Sequence, residues 1–366
     1  MPFTLAAALV LAAALFGLAL RTEERRRAAP ALPAPRLPVP ATTVLLPIRD
    51  ERSNVIECME TLLAQTAAPA VRVVDDGSTD GSGELVAARA ACEPRLTLLA
   101  AGPLPAGWRG KVHALQVGSQ GVETPWLLST DADTRHAPDL LARAHAAAAE
   151  RGLDAVSLAG AQKVRGIGEN LLIPPIFALL DTLLADWRQA ADGGGPAVAN
   201  GQFLLLRREA WEACGGFEAV RNETLDDVAA FARLRAGGFR TGFLRAEGLA
   251  VRMYRGWGEA CRGWRRNLGG FLGPRPRIVA ATLAVLLVPA AALAAAACAG
   301  LAVESVLLWG AGAAASILLR SGGGHRPAWG LLYPLDALAL AAVLLLGTID
   351  RRRGRLSSWK GREIRV

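Results

Sequence analysis

Two carboxylates one residue apart, Asp131 and Asp133, follow an apolar stretch that begins at Trp126. This pattern predicts a buried strand that ends in an acidic turn. If the strand continues, both side chains point to the same face of the sheet and can share one cation. Mg²⁺ and Mn²⁺ prefer oxygen ligands and leave positions for substrate phosphates. The pair therefore predicts a divalent metal site for a phosphate-bearing ligand, although an isolated Asp-x-Asp is also typical of a solvated turn.

Two polar loops follow predicted strands nearer the N-terminus. Residues 42–48 form an apolar, β-branched run that leads into Arg49-Asp50-Glu51, and residues 71–74 lead into Asp75-Asp76-Gly77-Ser78. Open α/β sheets bind ligands at the carboxyl ends of their strands, so both loops are candidate ligand contacts. An Asp that caps the next helix explains the second loop equally well.

A third predicted strand, residues 96–99, precedes a glycine-containing loop that carries Gly110-Lys111 into a helix. A lysine at a helix start can contact a diphosphate, and it can equally be solvated. Strands, polar turns and helices alternate through this part of the chain. The alternation predicts an α/β fold.

These motifs form a series that resembles the inverting family 2 glycosyltransferases. The series is Pro47-Ile-Arg-Asp-Glu51, Val73-Val-Asp-Asp-Gly-Ser-Thr-Asp80, Gly110-Lys111 and Thr130-Asp-Ala-Asp133, in the order and rough spacing of that family. The resemblance covers residues 42–270 and implies a Rossmann-like GT-A fold, a nucleotide-diphospho-sugar donor that we expect to be a UDP-sugar, and Mg²⁺ or Mn²⁺ as cofactor.

The resemblance also implies roles for individual residues. Asp75 or Asp76 contacts the base or ribose, and Asp133, together with Asp131, ligates the metal on the diphosphate. The residues that it places at the donor are Pro47, Arg49, Glu51, Asp75, Asp76, Ser78, Lys111 and Asp131.

Asp226 and Asp227 open a predicted amphipathic helix that ends at Gly237. Acidic residues interact favourably with the dipole at a helix N-terminus, so the pair also has a purely structural explanation. Inverting transfer requires a carboxylate that removes the proton of the acceptor hydroxyl during its attack. The family's Glu-Asp pair aligns here and its second member is the base, which implies Asp227 as the base and Asp226 as the alternative. The first position departs from the commoner Glu.

Two segments are candidates for the acceptor side. The resemblance places Asn200 and Gln202 there, although capping or turn formation explains both residues as well. Trp264, Arg265 and Arg266 belong to a predicted amphipathic segment at the level of lipid headgroups, from which either arginine would reach the diphosphate. The Gln-x-x-Arg-Trp signature of processive family members does not occur in this segment, which argues against a polysaccharide synthase.

The apolar residues, 52% of the 366, are concentrated at the two ends of the chain. Residues 3–20 are long enough to cross a bilayer, and basic residues follow this run instead of preceding it. The arrangement favours a membrane anchor over a cleaved signal peptide and places the N-terminus outside. Residues 278–320 predict two helices joined by a tight turn, and residues 331–349 predict a third.

Three crossings at the C-terminal end would leave Arg351 to Arg353 outside, against the positive-inside rule. We therefore expect one of these stretches to be interfacial or re-entrant and the C-terminus to be cytoplasmic. Residues 169–187, which contain Pro174-Pro175, predict an interfacial helix, with a core helix as an equal alternative. The net charge is +8, but the basic clusters lie beside apolar spans, which favours an anionic leaflet over nucleic acid.

The expected organisation has six parts. They are an anchor (1–21), a basic, proline-rich linker (22–41), a GT-A domain (42–250), an interfacial amphipathic segment (251–277), transmembrane helices (278–350) and a basic cytoplasmic tail (351–366). The five cysteines are scattered and lack CxxC spacing, so they predict neither a zinc site nor a disulfide framework.

These observations predict a multi-pass enzyme of the inner membrane with a cytoplasmic catalytic domain, which moves a hexose to a lipid acceptor. The tail sequence Trp359-Lys-Gly-Arg362 resembles the ending of membrane-bound family members thought to act on carotenoid or hopanoid lipids. Two alternatives remain. One is a polyprenyl-phosphate sugar transferase, and the other is a catalytically silent membrane scaffold with a degenerate transferase domain.

Overall fold

The computed structural model describes residues 2–184, 187–272, 275–354, 356–359 and 362–365. The chain divides into two compact units. The sheet unit comprises Ala29–Ala161 and Asp186–Met253, and the helical unit comprises Met1–Ala28, Gln162–Ala185 and Tyr254–Val366. The predicted domain of residues 42–250 thus contains an inserted segment that groups with the apolar helices.

The strands are numbered along the chain. They are β1 (Thr42–Ile48), β2 (Ala70–Asp75), β3 (Leu96–Ala100), β4 (Trp126–Ser129), β5 (Thr134–His136), β6 (Ala155–Gln162), β7 (Leu204–Arg207), β8 (Thr241–Val251), β9 (Leu356–Trp359) and β10 (Arg362–Arg365).

The α-helices are numbered in the same way. They are α1 (Pro2–Arg27), α2 (Val55–Leu63), α3 (Ser82–Ala90), α4 (Gly110–Ser119), α5 (Leu140–Arg151), α6 (Gly166–Leu184), α7 (Trp187–Ala191), α8 (Arg208–Ala213), α9 (Asp226–Ala236), α10 (Trp257–Leu272), α11 (Pro276–Cys298), α12 (Ala302–Gly322) and α13 (Tyr333–Arg352).

The main sheet has the strand order β3-β2-β1-β4-β7-β6-β8-β5. Strands β3, β2, β1 and β4 are parallel neighbours, whereas β7 is antiparallel to both β4 and β6, and β5 is antiparallel to β8. In the parallel part the loops after β1, β2 and β4 leave the same edge of the sheet. This edge is where open α/β sheets bind ligands, so the fold brings the predicted motifs to one side.

The parallel strands are covered on both faces. In β1, Val44 and Leu46 belong to the apolar cluster that contains Met59 of α2, whereas Leu45 belongs to the cluster that contains Leu115 of α4 and Trp211 of α8. Side chains alternate between the faces of a strand, and a parallel sheet between helices is apolar on both. This double burial explains why the predicted strand reads as a continuous apolar run.

The helical unit contains every described helix that is long and apolar enough to cross a membrane. The five segments are Thr4–Arg27, Gly166–Leu183, Pro276–Cys298, Ala302–Gly322 and Pro327–Arg352. The predicted helical hairpin is present, because α11 and α12 are separated only by residues 299–301. The predicted helix at residues 169–187 is continuous through Pro174-Pro175 as far as Leu184.

Several predicted features include residues that the structure does not describe. The residues outside the described ranges are residue 1 of the anchor, 185 and 186 of the predicted helix 169–187, 273 and 274 of the interfacial segment, and 355, 360, 361 and 366 of the tail. On either side of residues 360 and 361, β9 and β10 form an antiparallel two-stranded sheet.

Candidate active site

Four charged side chains from three segments of the sheet unit meet near the end of β4. Lys111 Nζ lies 2.6 Å from Oδ1 of Asp131, and the charges of Asp226 and Asp227 also act on the ammonium group. Burial alone lowers the pKa of Lys111, but attraction to Asp131, then Asp226 and Asp227, outweighs burial and makes the net pKa shift upward. The lysine therefore remains a cation among three carboxylates.

The Asp227 carboxylate is held by two backbone N–H groups. Gly201 donates to Oδ2 at 2.6 Å, and Val228 donates to Oδ1 at 2.8 Å. Burial, followed by repulsion from Asp226, raises the pKa of Asp227 to about 6, against the opposing effects of Lys111 and the two N–H groups. The pKa of Asp226 is also raised, with burial as the largest cause. A base that titrates near neutral pH is suited to proton transfer.

The position of Gly201 leaves no room for a side chain. A Cβ at this position would lie 2.8 Å from Lys111 Nζ and 3.5 Å from Asp227 Oδ2. The two neighbours of Gly201 bond to each other, since Asn200 Nδ2 donates to Gln202 Oε1 at 2.9 Å and Gln202 N donates to Asn200 Oδ1 at 3.1 Å. Asn200 and Gln202 thus form a turn, which is the alternative role that the sequence analysis gave them.

The acidic turn differs from the continuing strand considered in the sequence. Strand β4 ends at Ser129, and the carbonyl of Asp131 accepts hydrogen bonds from the N–H and the hydroxyl of Thr134, at 3.3 and 2.7 Å. Residues 131–133 therefore form a turn before β5, and strand alternation does not place Asp131 and Asp133 on one face. This turn is fixed to β8, because Arg252 N donates to the carbonyl of Asp133 at 3.0 Å.

The loops after β1 and β2 are bonded to each other. Arg49 donates a short hydrogen bond to the backbone carbonyl of Asp76, and Asp76 is only 4% exposed. The N–H and hydroxyl of Ser78 donate to Asp75 Oδ1 at 2.8 and 2.7 Å, and Asp50 N donates to Ser78 Oγ at 3.0 Å. Four predicted donor-site residues therefore belong to one hydrogen-bonded group.

The other two predicted donor residues from the first motif support this group. Glu51 donates its N–H to Ser82 Oγ at 2.8 Å and accepts at Oε2 from Asn54. Pro47 lies inside β1, in register with Val74 of β2. The structure thus brings the loops of β1 and β2 together as one set and Lys111, Asp131, Asp226 and Asp227 as another, at the same edge of the sheet.

Trp264, Arg265 and Arg266 belong to the helical unit. Trp264 is 5% exposed and packs edge-on against Phe177, so its ring is buried within the helical unit. The helical period explains this burial, since Ala260, Trp264 and Leu268 occupy the buried stripe of α10. Arg265 pairs with Asp350 at 2.5 Å, and Arg266 donates to Asn267 Oδ1 at 3.2 Å.

Sequence reasoning missed Gly201 and Arg109. The Arg109 guanidinium donates to Thr224 Oγ1 at 2.8 Å and to the carbonyl of Asn222 at 3.1 Å, and its N–H donates to the carbonyl of Arg221. Arg109 thereby joins the loop before α4 to the loop that leads into α9. Its place in Gly107-Trp-Arg-Gly-Lys111 was the one sequence signal, because it is two residues before the predicted lysine.

Residues 43–212 match the family model described as Glycosyl transferase family 2. The chain contains a family 2 glycosyltransferase domain. The match confirms the resemblance drawn from the motif series and the predicted enzyme class. No curated protein matches the chain.

The fold of this glycosyltransferase is similar to that of the mannosyltransferase PcManGT from Pyrobaculum calidifontis, solved in complex with GDP-Man and Mn²⁺. The two chains are 22% identical, with a TM-score of 0.54 over 94% of this chain and 97% of that chain. The likeness confirms the predicted α/β, GT-A-like fold with apolar helices at both ends.

The carboxylates of the acidic turn fit the metal that the family implies. Among the described residues no group of three or more His, Cys, Asp or Glu side chains is placed to hold a metal ion. Mg²⁺ in nucleotide sites needs only one or two protein carboxylates, because substrate phosphates and water complete its shell. Asp133 supplies one such carboxylate, and Asp131, which also pairs with Lys111, supplies a second in the same turn.

Proposed function

We propose that the chain is a membrane-bound inverting glycosyltransferase that moves a hexose from a nucleotide-diphospho-sugar to a lipid acceptor. The observation that carries the proposal is the Asp227 carboxylate, which two backbone N–H groups orient and whose pKa is raised to about 6. A carboxylate in this state is ionised at neutral pH and still basic enough to accept a proton.

Asp227 acts on the acceptor. Its carboxylate takes the hydroxyl proton while the acceptor oxygen forms a bond to the anomeric carbon of the sugar. The bond from that carbon to the diphosphate breaks on the opposite face, and its electron pair leaves with the nucleoside diphosphate. The hydrogen bonds from Gly201 and Val228 hold the carboxylate in one orientation throughout this step.

Lys111 acts on the leaving group. Its ammonium stays protonated because Asp131, Asp226 and Asp227 surround it, so it offers a fixed positive charge to the departing diphosphate. Asp133 and Asp131 would hold the divalent ion, whose chemistry is to neutralise the negative charge of the diphosphate.

The bonded loops after β1 and β2 supply the nucleotide side of the site. The pairing of Arg49 with Asp76 and of Ser78 with Asp75 fixes the loop that the resemblance assigns to the base and ribose. A UDP-sugar is our expected donor. The structural neighbour was solved with GDP-Man, so GDP-sugars belong in the same donor panel.

The apolar helices support a lipid acceptor, because they would keep the domain at the bilayer surface, where such an acceptor lies. The test incubates the purified full-length protein, Mn²⁺ and a membrane lipid extract with a panel of radiolabelled UDP- and GDP-hexoses. We expect label in the lipid fraction with one donor and none with Asp227→Asn. Glu123→Ala, a change of an exposed acid in the same unit, is the matched control.

The product distinguishes the alternatives. A mild-acid-labile, phosphate-containing lipid would identify a polyprenyl-phosphate acceptor, and an acid-stable product would identify a glycolipid, carotenoid or hopanoid type. A protein that neither hydrolyses nor transfers any donor of the panel would be the silent scaffold. Transfer that Asp227→Asn leaves intact would contradict the assignment of the base.

A further inference from the structure

Helix α6 lies across α12 and not along it. Near the start of α6, the carbonyl of Asn170 accepts a hydrogen bond from Arg320 at 3.0 Å. Near its end, Asp181 pairs with Arg26 at 2.5 Å, and the same Arg26 donates to the carbonyl of Leu319 at 2.6 Å. Asn170 and Asp181 are about 16 Å apart along α6. Asn170 nevertheless contacts Arg320 of α12 directly, and Asp181 is linked to the adjacent Leu319 through Arg26 of α1. A helix parallel to α12 would contact it at positions equally far apart.

Chain connectivity leads to the same conclusion for α6. The segments before and after it both belong to the sheet unit, which ends at Ala161 and resumes at Asp186. A helix that crossed a bilayer would leave these two segments on opposite sides, where they would be unable to form one sheet. Helix α6 therefore does not cross, although it is apolar enough to do so.

Helix α10 runs alongside α6. Gly256, at the start of α10, donates its N–H to Glu169 Oε1 at 2.8 Å, and a Cβ on Gly168 would lie 2.6 Å from Cβ of Trp257. Two turns further on, Trp264 packs against Phe177 with ring centroids 5.5 Å apart. The two helices are therefore parallel neighbours and lie in one layer.

The end of α13 is tied to this layer, and its start is tied to α12 at the point where α12 contacts α6. At the start, Asp336 accepts from Arg320 at 2.7 Å, and the same Arg320 atom, Nη2, also contacts α6. At the end, Asp350 accepts from Arg265 of α10 at 2.5 Å. Between them, a Cβ on Gly269 would lie 2.7 Å from the carbonyl oxygen of Gly347, so the backbones of α10 and α13 are in close contact.

We propose that α13 lies in the membrane interface with α6 and α10, and that α1, α11 and α12 are the crossing helices. A crossing α13 would carry Asp350 to the far side of a hydrocarbon core about 30 Å thick. Its partner Arg265 is on a helix that begins beside α6, so it cannot follow. The outward stripe of α13, formed by Leu335, Leu338, Leu345 and Leu346, then faces the acyl chains of the near leaflet.

The direction of the crossing helices supports this arrangement. Thr4 donates to Glu304 at 2.9 Å, so the N-terminal ends of α1 and α12 meet, as do their C-terminal ends through Arg26 and Leu319. Helices α1 and α12 therefore run in the same direction. Helix α11, which precedes α12 in the chain, runs in the opposite direction. Three crossings place all the arginine clusters on one side, including Arg25 to Arg27 and Arg351 to Arg353.

The test is sided cysteine labelling of the full-length protein in bacterial membranes. Cys58 is buried, and the other four native cysteines are replaced by serine. Three proteins then carry one reactive thiol each: restored Cys298, in the turn after α11; restored Cys92, in the sheet unit; or Arg353→Cys, just after α13. A membrane-impermeant maleimide is applied to spheroplasts and to inside-out vesicles.

We expect Cys298 to be labelled in spheroplasts, and Cys92 and the thiol of Arg353→Cys to be labelled only in inside-out vesicles. Labelling of Arg353→Cys in spheroplasts, on the same side as Cys298, would show that α13 crosses and would overturn the proposal. If Arg353→Cys does not accumulate, a C-terminal fusion to green fluorescent protein gives the same decision, because it fluoresces only in the cytoplasm. This outcome does not depend on catalysis, so it stands or falls separately from the proposed function.

Discussion

The backbone N–H of Gly201 donates a hydrogen bond of 2.6 Å to Oδ2 of Asp227. The contact joins the segment before β7 to the first turn of α9, and the same glycine faces Lys111 Nζ. One residue without a side chain thus separates the proposed base from the cation of the proposed leaving-group site. The Asp227 carboxylate thus accepts a backbone hydrogen bond from a distant segment, whereas the backbone hydrogen bond of the Asp226 carboxylate comes from its own N–H.

The pH dependence of transfer should follow Asp227. Its ionised form accepts the proton, so kcat/KM should be level above the pKa of about 6 and fall below it. The decline should approach about tenfold per pH unit. Lys111 lowers the pKa of Asp227, so Lys111→Met should move the acid limb to higher pH, while Lys111→Arg keeps the charge and leaves the limb near its original position. If the acid limb does not move in Lys111→Met, the pKa observed in the rate profile does not belong to Asp227.

Gly201→Ala should impair transfer without unfolding the domain. The new Cβ would meet Lys111 Nζ at 2.8 Å, and a lysine terminus can move aside at little cost. The displaced ammonium would no longer be aligned with the diphosphate, so kcat should fall about ten- to a hundredfold. Thermal unfolding is the control. A fall in kcat accompanied by a large loss of thermal stability would point to misfolding instead.

Donor binding should depend on metal through Asp133. The wild-type protein should bind the nucleotide donor more tightly with Mn²⁺ than with EDTA in a calorimetric titration, because Asp133 and Asp131 would hold an ion that neutralises the charge of the diphosphate. Asp133→Ala should bind with the weak affinity of the EDTA sample whether or not Mn²⁺ is present. Glu123→Ala, which changes an exposed acid of the same unit, should keep the metal dependence. A metal response that survives in Asp133→Ala would remove this residue from the ligand set.

Arg109 and Thr224 should be energetically coupled. Their 2.8 Å hydrogen bond connects the loop before α4 to the loop that leads into α9. A hydrogen bond from a charged donor contributes about 1.5–3 kcal/mol to stability, so Arg109→Ala and Thr224→Val should each lower the free energy of unfolding by about that amount. A double-mutant cycle on the free energy of unfolding is the measurement. Since both changes break the same bond, the double variant should be little worse than Arg109→Ala, and purely additive losses would contradict the coupling.

Gly347→Ala should destabilise the helical unit. A Cβ there would lie 2.3 Å from the carbonyl oxygen of Arg265, a backbone atom that cannot move without shifting α10. Overpacking of this kind costs about 1–3 kcal/mol, so the variant should unfold at a lower temperature in detergent. Gly310→Ala is the matched control, because a Cβ at Gly310 meets nothing within 4 Å. Equal unfolding temperatures for the two variants would show that α10 and α13 are not in close contact.

Local pattern was sufficient to predict the elements of the sheet unit and the polar loops that gather at one edge of the sheet. The apolar run of β1 and the polar loop after it are set by neighbouring residues, since a strand buried on both faces must be apolar throughout and its ligand loop must be polar. The motif series predicted the enzyme class for the same reason, because each motif is a short loop at a strand end. The apolar helices were equally visible, since crossing a bilayer needs only length and composition.

The tertiary structure decided how distant segments meet. The sequence offered Asn200 and Gln202 as acceptor-side or turn residues, and only the approach of α9 brings the backbone N–H of the intervening Gly201 to the Asp227 carboxylate. The sequence assigned Trp264 to an interfacial amphipathic segment, and only the packing of α10 against α6 shows that its ring is buried against Phe177. Hydropathy makes α13 equivalent to α11 and α12, and the ion pairs at its two ends are the contacts on which its proposed interfacial placement rests. Hydropathy depends on composition along the chain, whereas these contacts depend on side chains brought together from positions far apart in sequence, which no local pattern specifies.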